Sequence, residues 1–254
     1  MRLVIKIGTS TIAYPTGGLN IRRMESFCEV LSDLKNSGIE VILVTSGAIG
    51  MGVGKLGFSE RPEDMPTKQA CAAVGQCELM YFYDRMFSEY NHTAAQILIT
   101  GSILRHSDRM ENFTNTLNRL LELGALPIIN ENDTIETEEI VIGDNDTLAA
   151  VVAVASHADL LVILSDVDGL YTASPIADKN AKLIEKVTEI TPEIEAYAGG
   201  AESKLGTGGM TTKIQAAALC MEYNCDMIIT NGSKLDLLYN IQTGEPFGTR
   251  FFSK

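Results

Sequence analysis

Six short apolar runs recur along the chain and set the architecture that we expect. Each contains five or six residues and is rich in Val, Ile and Leu, with few polar residues to interrupt it. Nearly continuous apolar runs of this length are typical of strands that are buried on both faces of a parallel sheet. The predicted strands cover residues 3–7, 41–45, 95–100, 125–130, 160–165 and 226–230.

Helical patterns separate these runs. Apolar residues three and four positions apart predict one helix that Asn20 caps and Gly38 ends, and another that Ser107 caps and Gly124 ends. Strands that alternate with helices imply right-handed crossovers, so the predicted fold is α/β, a three-layer α/β/α sandwich with a mainly parallel central sheet. A further helix is predicted with one apolar face made of Ala70, Val74, Cys77 and Tyr81.

Every predicted strand runs into small or polar residues. Ligands of open α/β sheets bind beyond the carboxyl ends of the strands. One such end would be an ordinary turn, whereas six together indicate a ligand site along one edge of the sheet. The six ends are Gly8-Thr9-Ser10, Ser46-Gly47, Thr100-Gly101, Asn130 to Asp133, Ser165-Asp166 and Thr230 to Gly232.

Length and composition favour one large domain over residues 1–254, since no repeat, linker or low-complexity tract divides the chain. No run approaches the roughly 18 apolar residues of a membrane span, and the first residues read as a strand rather than a signal peptide. We therefore expect a soluble, cytoplasmic protein without a membrane partner. The five cysteines show no C-x-x-C spacing and the three histidines stand far apart, which indicates neither a disulfide framework nor a zinc site.

The formal net charge of -13 argues against a nucleic-acid partner, because the surface as a whole repels polyanions. A small anionic ligand would need a local group of positive charges. Lys6 interrupts the apolar run at 3–7, where a charge is costly unless it has a partner. The alternative is an edge strand with one face in water.

Two glycine clusters are candidates for phosphate binding. "GVGKLG" (52–57) matches G-x-G-x-x-G, but it does not follow the first strand and lacks the later acidic residue, so we expect a flexible loop after a short helix. "GTGGMTTKIQAA" (206–217) is not a P-loop, because Ile214 follows Lys213. Its glycines would let the backbone approach a ligand while Thr211 and Thr212 start a helix. The alternative is a glycine hinge with a solvated lysine.

Six segments together resemble one family. They are "MRLVIKIGTS" at the start, "TSGAIGMG" (45–52), "NENDTI" (130–135), "GDND" (143–146), "LSDVDGLY" (164–171) and "GTGGMTTK" (206–213). In this order they resemble the amino acid kinase superfamily, and within it the members that phosphorylate glutamate, over residues 1 to about 250. The resemblance implies transfer of the γ-phosphoryl group of ATP to the side-chain carboxylate of glutamate.

Residue roles follow from the same resemblance. It implies that Lys6 and Lys213 flank the transferring phosphoryl group, that Asp146 orients them, and that Mg²⁺ is bound mainly through the nucleotide phosphates rather than by a protein metal site. The residues implied to bind the amino acid are Ser46, Gly47, Asp133 and Asn145. Those implied to bind ATP are Lys6, Gly8, Ser165, Asp166, Thr207, Gly208, Gly209, Met210, Thr211, Thr212 and Lys213.

The resemblance also implies a substrate half over roughly 1–155, a nucleotide half over roughly 156–254, and a homo-oligomer. Many members carry a C-terminal domain of the PUA type, which we do not expect after residue 254. One alternative is a sister kinase that acts on N-acetylglutamate, aspartate, carbamate or UMP. Another is a non-catalytic sensor of nucleotide or amino acid, although a sensor would not need two lysines to stabilise a transition state.

Overall fold

One eight-stranded sheet forms the centre of the protein in the computed structural model, which describes residues 1–14, 18–101, 103, 106–135, 145–175, 177–199 and 209–253. The strands are β1 (Arg2–Ile7), β2 (Glu40–Thr45), β3 (Ala94–Ile99), β4 (Leu126–Glu131), β5 (Leu160–Ser165), β6 (Lys186–Val187), β7 (Asp226–Asn231) and β8 (Thr249–Phe251). Their spatial order is β3-β4-β2-β1-β5-β7-β8-β6.

The six predicted strands are all present and parallel to one another, so their carboxyl ends share one edge of the sheet. The sequence pattern missed β6 and β8. β8 pairs antiparallel with β7, and β6 pairs parallel with β8 at the far edge. With two and three residues, these strands are too short to produce an apolar run.

Helices cover both faces of the sheet. They are α1 (Thr9–Ile12), α2 (Ile21–Asn36), α3 (Ala48–Leu56), α4 (Met65–Ser88), α5 (Ser107–Glu122), α6 (Asn145–Ala155), α7 (Pro192–Gly199), α8 (Met210–Glu222) and α9 (Asn240–Thr243), with a short 3-10 helix at Leu235–Tyr239. One apolar core joins a face of the sheet to α2, α3 and α4, and a second joins the other face to α5, α6 and α8. The predicted α/β/α sandwich is therefore confirmed. None of the described helices combines the length and the apolar character that a bilayer crossing requires.

Local signals at the helix ends were mostly correct. Asn20 caps α2, where its side-chain oxygen accepts a hydrogen bond from the Arg23 backbone N–H at 3.2 Å. Gly38 and Gly124 follow α2 and α5 with φ of 94° and 74°, a conformation that glycine adopts without strain. The predicted Ser107 cap was wrong by one residue, because Ser107 is the first helical residue of α5 and His106 precedes it.

The buried face of α4 differs from the predicted one. Tyr81, on the predicted face, is 58% exposed, and Ala70 and Cys77 are also exposed. The apolar pattern failed here because the face that packs against the protein includes Gly75 and Gln76, which such a pattern does not count. The buried residues are Cys71, Ala72, Gly75, Gln76, Leu79, Tyr83 and Phe87.

The "GVGKLG" segment is helical, so the prediction of a flexible loop was wrong. Its first five residues lie within α3, and only Gly57 ends the helix, with φ of 75°. A Cβ atom on Gly52 would lie 1.8 Å from the Cys71 carbonyl oxygen, and one on Gly75 would lie 1.8 Å from the Ala48 carbonyl oxygen. These glycines therefore let the backbones of α3 and α4 come into direct contact.

Candidate active site

Lys6 projects from the middle of the sheet. β1 lies between β2 and β5 and pairs with both, so the alternative of an edge strand was wrong. The residue is 7% exposed, and its Nζ atom lies 2.7 Å from the Oδ1 atom of Asp146. The cost of burying this ammonium group is therefore offset by an ion pair.

Lys213 reaches the same carboxylate from the other direction. It lies in the first turn of α8 and is 6% exposed, so the alternative of a solvated hinge lysine was also wrong. Its Nζ atom donates a hydrogen bond to the Oδ2 atom of Asp146 at 2.9 Å. The structure thus brings two lysines from opposite ends of the chain to the two oxygens of one side chain.

This cluster of Lys6, Lys213 and Asp146 carries a net positive charge. Asp146 is fully buried in the first turn of α6, and one carboxylate balances only one of the two ammonium groups. Two ammonium groups beside one carboxylate favour the approach of an anionic ligand. The amino termini of α6 and α8 add the positive ends of two helix dipoles. In a chain of net charge -13, this is the local group of positive charges that a phosphate ligand requires.

The start of α8 leaves room for such a ligand. Gly209 precedes the helix in an extended conformation, and none of the atoms that the structure describes lies within 4 Å of where its Cβ would be. Thr212 Oγ1 lies 2.8 Å from the Gly209 carbonyl oxygen and 3.3 Å from Asp146 Oδ2. Met210 is buried in the core, whereas Thr211 is exposed. Thr207 and Gly208 lie outside the described residues.

Asn145 links the cluster to the predicted amino acid site. Its Nδ2 atom lies 2.6 Å from Ser46 Oγ, 2.7 Å from the Thr45 carbonyl oxygen and 3.1 Å from Asn130 Oδ1. An amide nitrogen carries two hydrogens, so it cannot give each of the three oxygens a hydrogen of its own. Because Asn145 and Asp146 are adjacent, the first turn of α6 joins this polar network to both lysines.

Gly47 and Asp133 lie beside this network. Gly47 caps α3 with φ of 104°, a left-handed conformation, and a Cβ atom there would lie 3.1 Å from the Ile12 side chain. Glycine is therefore required for the turn that follows Ser46. Asp133 is half-buried after β4, where it lines a small cleft together with Ala48 and Gln76.

The remaining predicted nucleotide residues lie at the carboxyl ends of β1 and β5, which are neighbours in the sheet. Ser165 is buried, and its hydroxyl lies 3.1 Å from the Oδ1 atom of the exposed Asp166. A Cβ atom on Gly8 would lie 3.6 Å from Lys6 Nζ, in ordinary contact with the ammonium group. Both ends therefore face the edge of the sheet that carries the lysine cluster.

A second polar group on this edge was missed from the sequence. Asp168 Oδ1 accepts hydrogen bonds from Lys234 Nζ at 2.8 Å and from Asn231 Nδ2 at 2.9 Å. The bond from Lys234 is the largest influence on Asp168 and holds the pKa of that carboxyl below its ordinary value. The sequence offered one signal for this group: Asp168 is the second acidic residue of "LSDVDGLY", and Lys234 is the first lysine after β7.

Lysines on a buried carboxylate, helix amino termini and a parallel sheet edge form an arrangement suited to phosphoryl transfer, which depends on positioning and on stabilising negative charge. The chain belongs to the amino acid kinase family, whose sequence model matches residues 1–231.

Relatives make the comparison more specific. The chain is 52% identical over 253 residues to the glutamate 5-kinase of Clostridium acetobutylicum, covering all of this chain and 95% of that one. It is 51% identical over 257 residues to the glutamate 5-kinase of Listeria monocytogenes serotype 4b, covering all of this chain and 93% of the relative. Carbamate kinase from Giardia lamblia has the same fold, with a TM-score of 0.69 and 17% identity, covering 100% of this chain and 98% of that one.

Proposed function

We propose that this protein is a kinase that transfers the γ-phosphoryl group of ATP to the side-chain carboxylate of L-glutamate. The product is γ-glutamyl phosphate, and the reaction is the first step of proline biosynthesis. One observation carries the proposal: Lys6 and Lys213 meet at Asp146, beside a polar network that Asn145 extends towards Ser46. Full-length identity of about half to the two glutamate 5-kinases favours glutamate over the acceptors of sister kinases.

The chemistry needs charge stabilisation more than proton transfer. The glutamate side chain, with a pKa of about 4.3, is ionised at neutral pH and needs no general base. An oxygen of this carboxylate forms a bond to the γ-phosphorus while the bond from that phosphorus to the β,γ-bridging oxygen breaks, and ADP leaves. Because both reactants are anions, the protein must offset their repulsion.

Lys6 and Lys213 supply that offset in our proposal. Each ammonium group would contact oxygens of the transferring phosphoryl group, and Asp146 would hold the two nitrogens in position. Lysine side chains are flexible, so a shared buried carboxylate limits where their nitrogens can move. Asp146 is a positioning residue in this scheme and accepts no proton from the substrate.

Substrate and nucleotide would occupy opposite sides of this cluster. Ser46, Gly47, Asp133 and Asn145 would bind glutamate, with the Asp133 carboxylate suited to the substrate ammonium group. Roughly residues 1–155 would form the substrate half, and roughly 156–254 the nucleotide half. The ATP side would use Gly8, Ser165, Asp166, Thr207, Gly208, Gly209, Met210, Thr211 and Thr212 with both lysines.

Magnesium belongs to the same proposal. The described part of the chain brings together no group of three or more His, Cys, Asp or Glu side chains that could hold a metal ion, so the nucleotide phosphates would hold it. When bound there, Mg²⁺ would neutralise part of the phosphate charge. We further propose a cytoplasmic homo-oligomer, which light scattering of the purified protein would test.

The test of the activity is hydroxamate formation. Hydroxylamine traps an acyl phosphate as a hydroxamate, so the wild type with ATP and glutamate should give product, while N-acetylglutamate, aspartate and carbamate should give far less. Phosphorylation of UMP gives no acyl phosphate, so the UMP kinase alternative is tested by measuring ADP release with UMP as the acceptor. A hydroxamate from another acid but none from glutamate would refute the substrate assignment.

The variant Lys213→Ala tests whether Lys213 stabilises the transferring phosphoryl group. We expect kcat to fall by about 100-fold or more, the loss typical of removing one group that stabilises developing charge. The fold should persist, because Lys6 still pairs with Asp146. Lys179→Ala removes an exposed lysine and is the matched control. A turnover near that of the control would remove Lys213 from the mechanism.

A further inference from the structure

Gln76 is a buried polar residue to which the mechanism above gives no role. It lies on the inner face of α4 and is 8% exposed. Its Oε1 atom accepts a hydrogen bond from Asn130 Nδ2 at 2.8 Å. The Oδ1 atom of Asn130 in turn lies 3.1 Å from the Nδ2 atom of Asn145. Gln76 is therefore the far member of the polar network that begins beside the lysine cluster.

A backbone group fixes which way this amide points. The Glu131 backbone N–H donates to Asn130 Oδ1 at 2.9 Å, and a backbone N–H can only donate. The oxygen of the Asn130 amide is therefore assigned, and its nitrogen must be the atom that faces Gln76. Gln76 has to present its oxygen to that nitrogen, which directs its own Nε2 atom elsewhere.

The Nε2 atom of Gln76 therefore faces away from Asn130. It is buried, and none of the residues that the structure describes accepts a hydrogen bond from it. A buried donor without a partner costs about 1–3 kcal/mol, so such a group calls for an acceptor from outside the chain, either a ligand or an ordered water. Gln76 lines the small cleft beyond β4 that Asp133 also lines.

We propose that Gln76 is a substrate-binding residue that selects for the carboxylate of the amino acid. Its Nε2 atom donates a hydrogen bond to a carboxylate oxygen of bound glutamate, while Asp133, in the same cleft, takes the ammonium group. An acidic cleft alone would repel a dicarboxylic substrate, and the Gln76 amide supplies a donor there without adding positive charge. This inference rests on the proposed glutamate kinase activity.

Gln76→Glu is the variant that separates binding from structure. A glutamate side chain has the same shape and keeps an oxygen for Asn130, so the contact within the protein survives. The donor is replaced by a carboxylate oxygen, which repels the carboxylate of the substrate. We expect the KM for glutamate to rise about 10- to 100-fold, the range for losing a hydrogen bond to a charged group, while the KM for ATP changes less than about twofold.

Gln215→Glu is the matched control, since it makes the same substitution at an exposed position of α8. Circular dichroism should show that both variants fold as the wild type does. If the KM for glutamate in Gln76→Glu equals that of the control, the amide serves only Asn130 and the inference is overturned. If the wild type itself forms no hydroxamate from glutamate, the proposed function fails instead, so the two failures can be told apart.

Discussion

The contact between α3 and α4 predicts a large effect from one methyl group. In Gly52→Ala the new Cβ atom would lie 1.8 Å from the Cys71 carbonyl oxygen. Carbon and oxygen atoms do not approach this closely, and a backbone carbonyl in the middle of α4 cannot rotate away as a side chain would. The two helices would have to separate by roughly 1 Å or more to restore normal contact.

The free energy of unfolding should fall by about 2 kcal/mol. Overpacking a well-packed contact costs about 1–3 kcal/mol, and we take the upper end because the obstacle is backbone. The higher helix propensity of alanine relative to glycine offsets about 1 kcal/mol of this loss in the free energy of unfolding. For a chain of this size, the net change corresponds to a melting temperature lower by about 4–8 °C.

Gly54→Ala is the control on the same helix. Gly54 is exposed in α3, so alanine should contribute only its helix propensity and raise the melting temperature by about 2–4 °C. Thermal unfolding of both variants, followed by circular dichroism, gives the comparison. The KM for glutamate should also rise in Gly52→Ala, because Gly47 caps the start of α3 and α4 carries Gln76. A Gly52→Ala protein as stable as Gly54→Ala would refute the close helix contact.

Two further predictions concern stability away from the site. Asn20→Ala removes the cap of α2 and should lower the free energy of unfolding by about 1 kcal/mol, measured by urea titration; no change would mean that another group satisfies the Arg23 N–H. Burial raises the pKa of Asp226, but hydrogen bonds from Ser253 and Arg250 outweigh it and hold that pKa below its ordinary value. Because this pKa is lower in the folded than in the unfolded protein, the ionised carboxylate stabilises the fold, and protonation at low pH removes that stabilisation. The difference in the free energy of unfolding between the wild type and Asp226→Asn should therefore shrink as pH falls from about 5 to about 3. A difference that stays constant over this range would contradict the prediction.

Much of the fold was accessible from local patterns. The six strands of the parallel sheet were predicted, because burial on both faces requires nearly unbroken apolar runs that are visible in a few consecutive residues. The Asn20 cap and the glycines after α2 and α5 were predicted for a similar reason, since each is a contact among residues close in sequence. The polar strand ends also followed, as parallel strands place their carboxyl ends on one edge.

Packing decided what local patterns could not. The buried face of α4 includes Gly75 and Gln76, which are buried because of what α3 and Asn130 present to them rather than because they are apolar. The strands β6 and β8 exist only as additions to an edge that β7 already forms.

The site shows the same division. Lysines at 6 and 213 and an acid at 146 were visible as residue types, and family resemblance suggested their roles. Their convergence depends on β1 lying between β2 and β5 while α6 and α8 begin at the same edge. The order of strands in a sheet comes from long-range packing of the whole chain, and no short stretch of residues specifies it. The residue types are therefore a property of the sequence, whereas the meeting of their charges is a property of the fold.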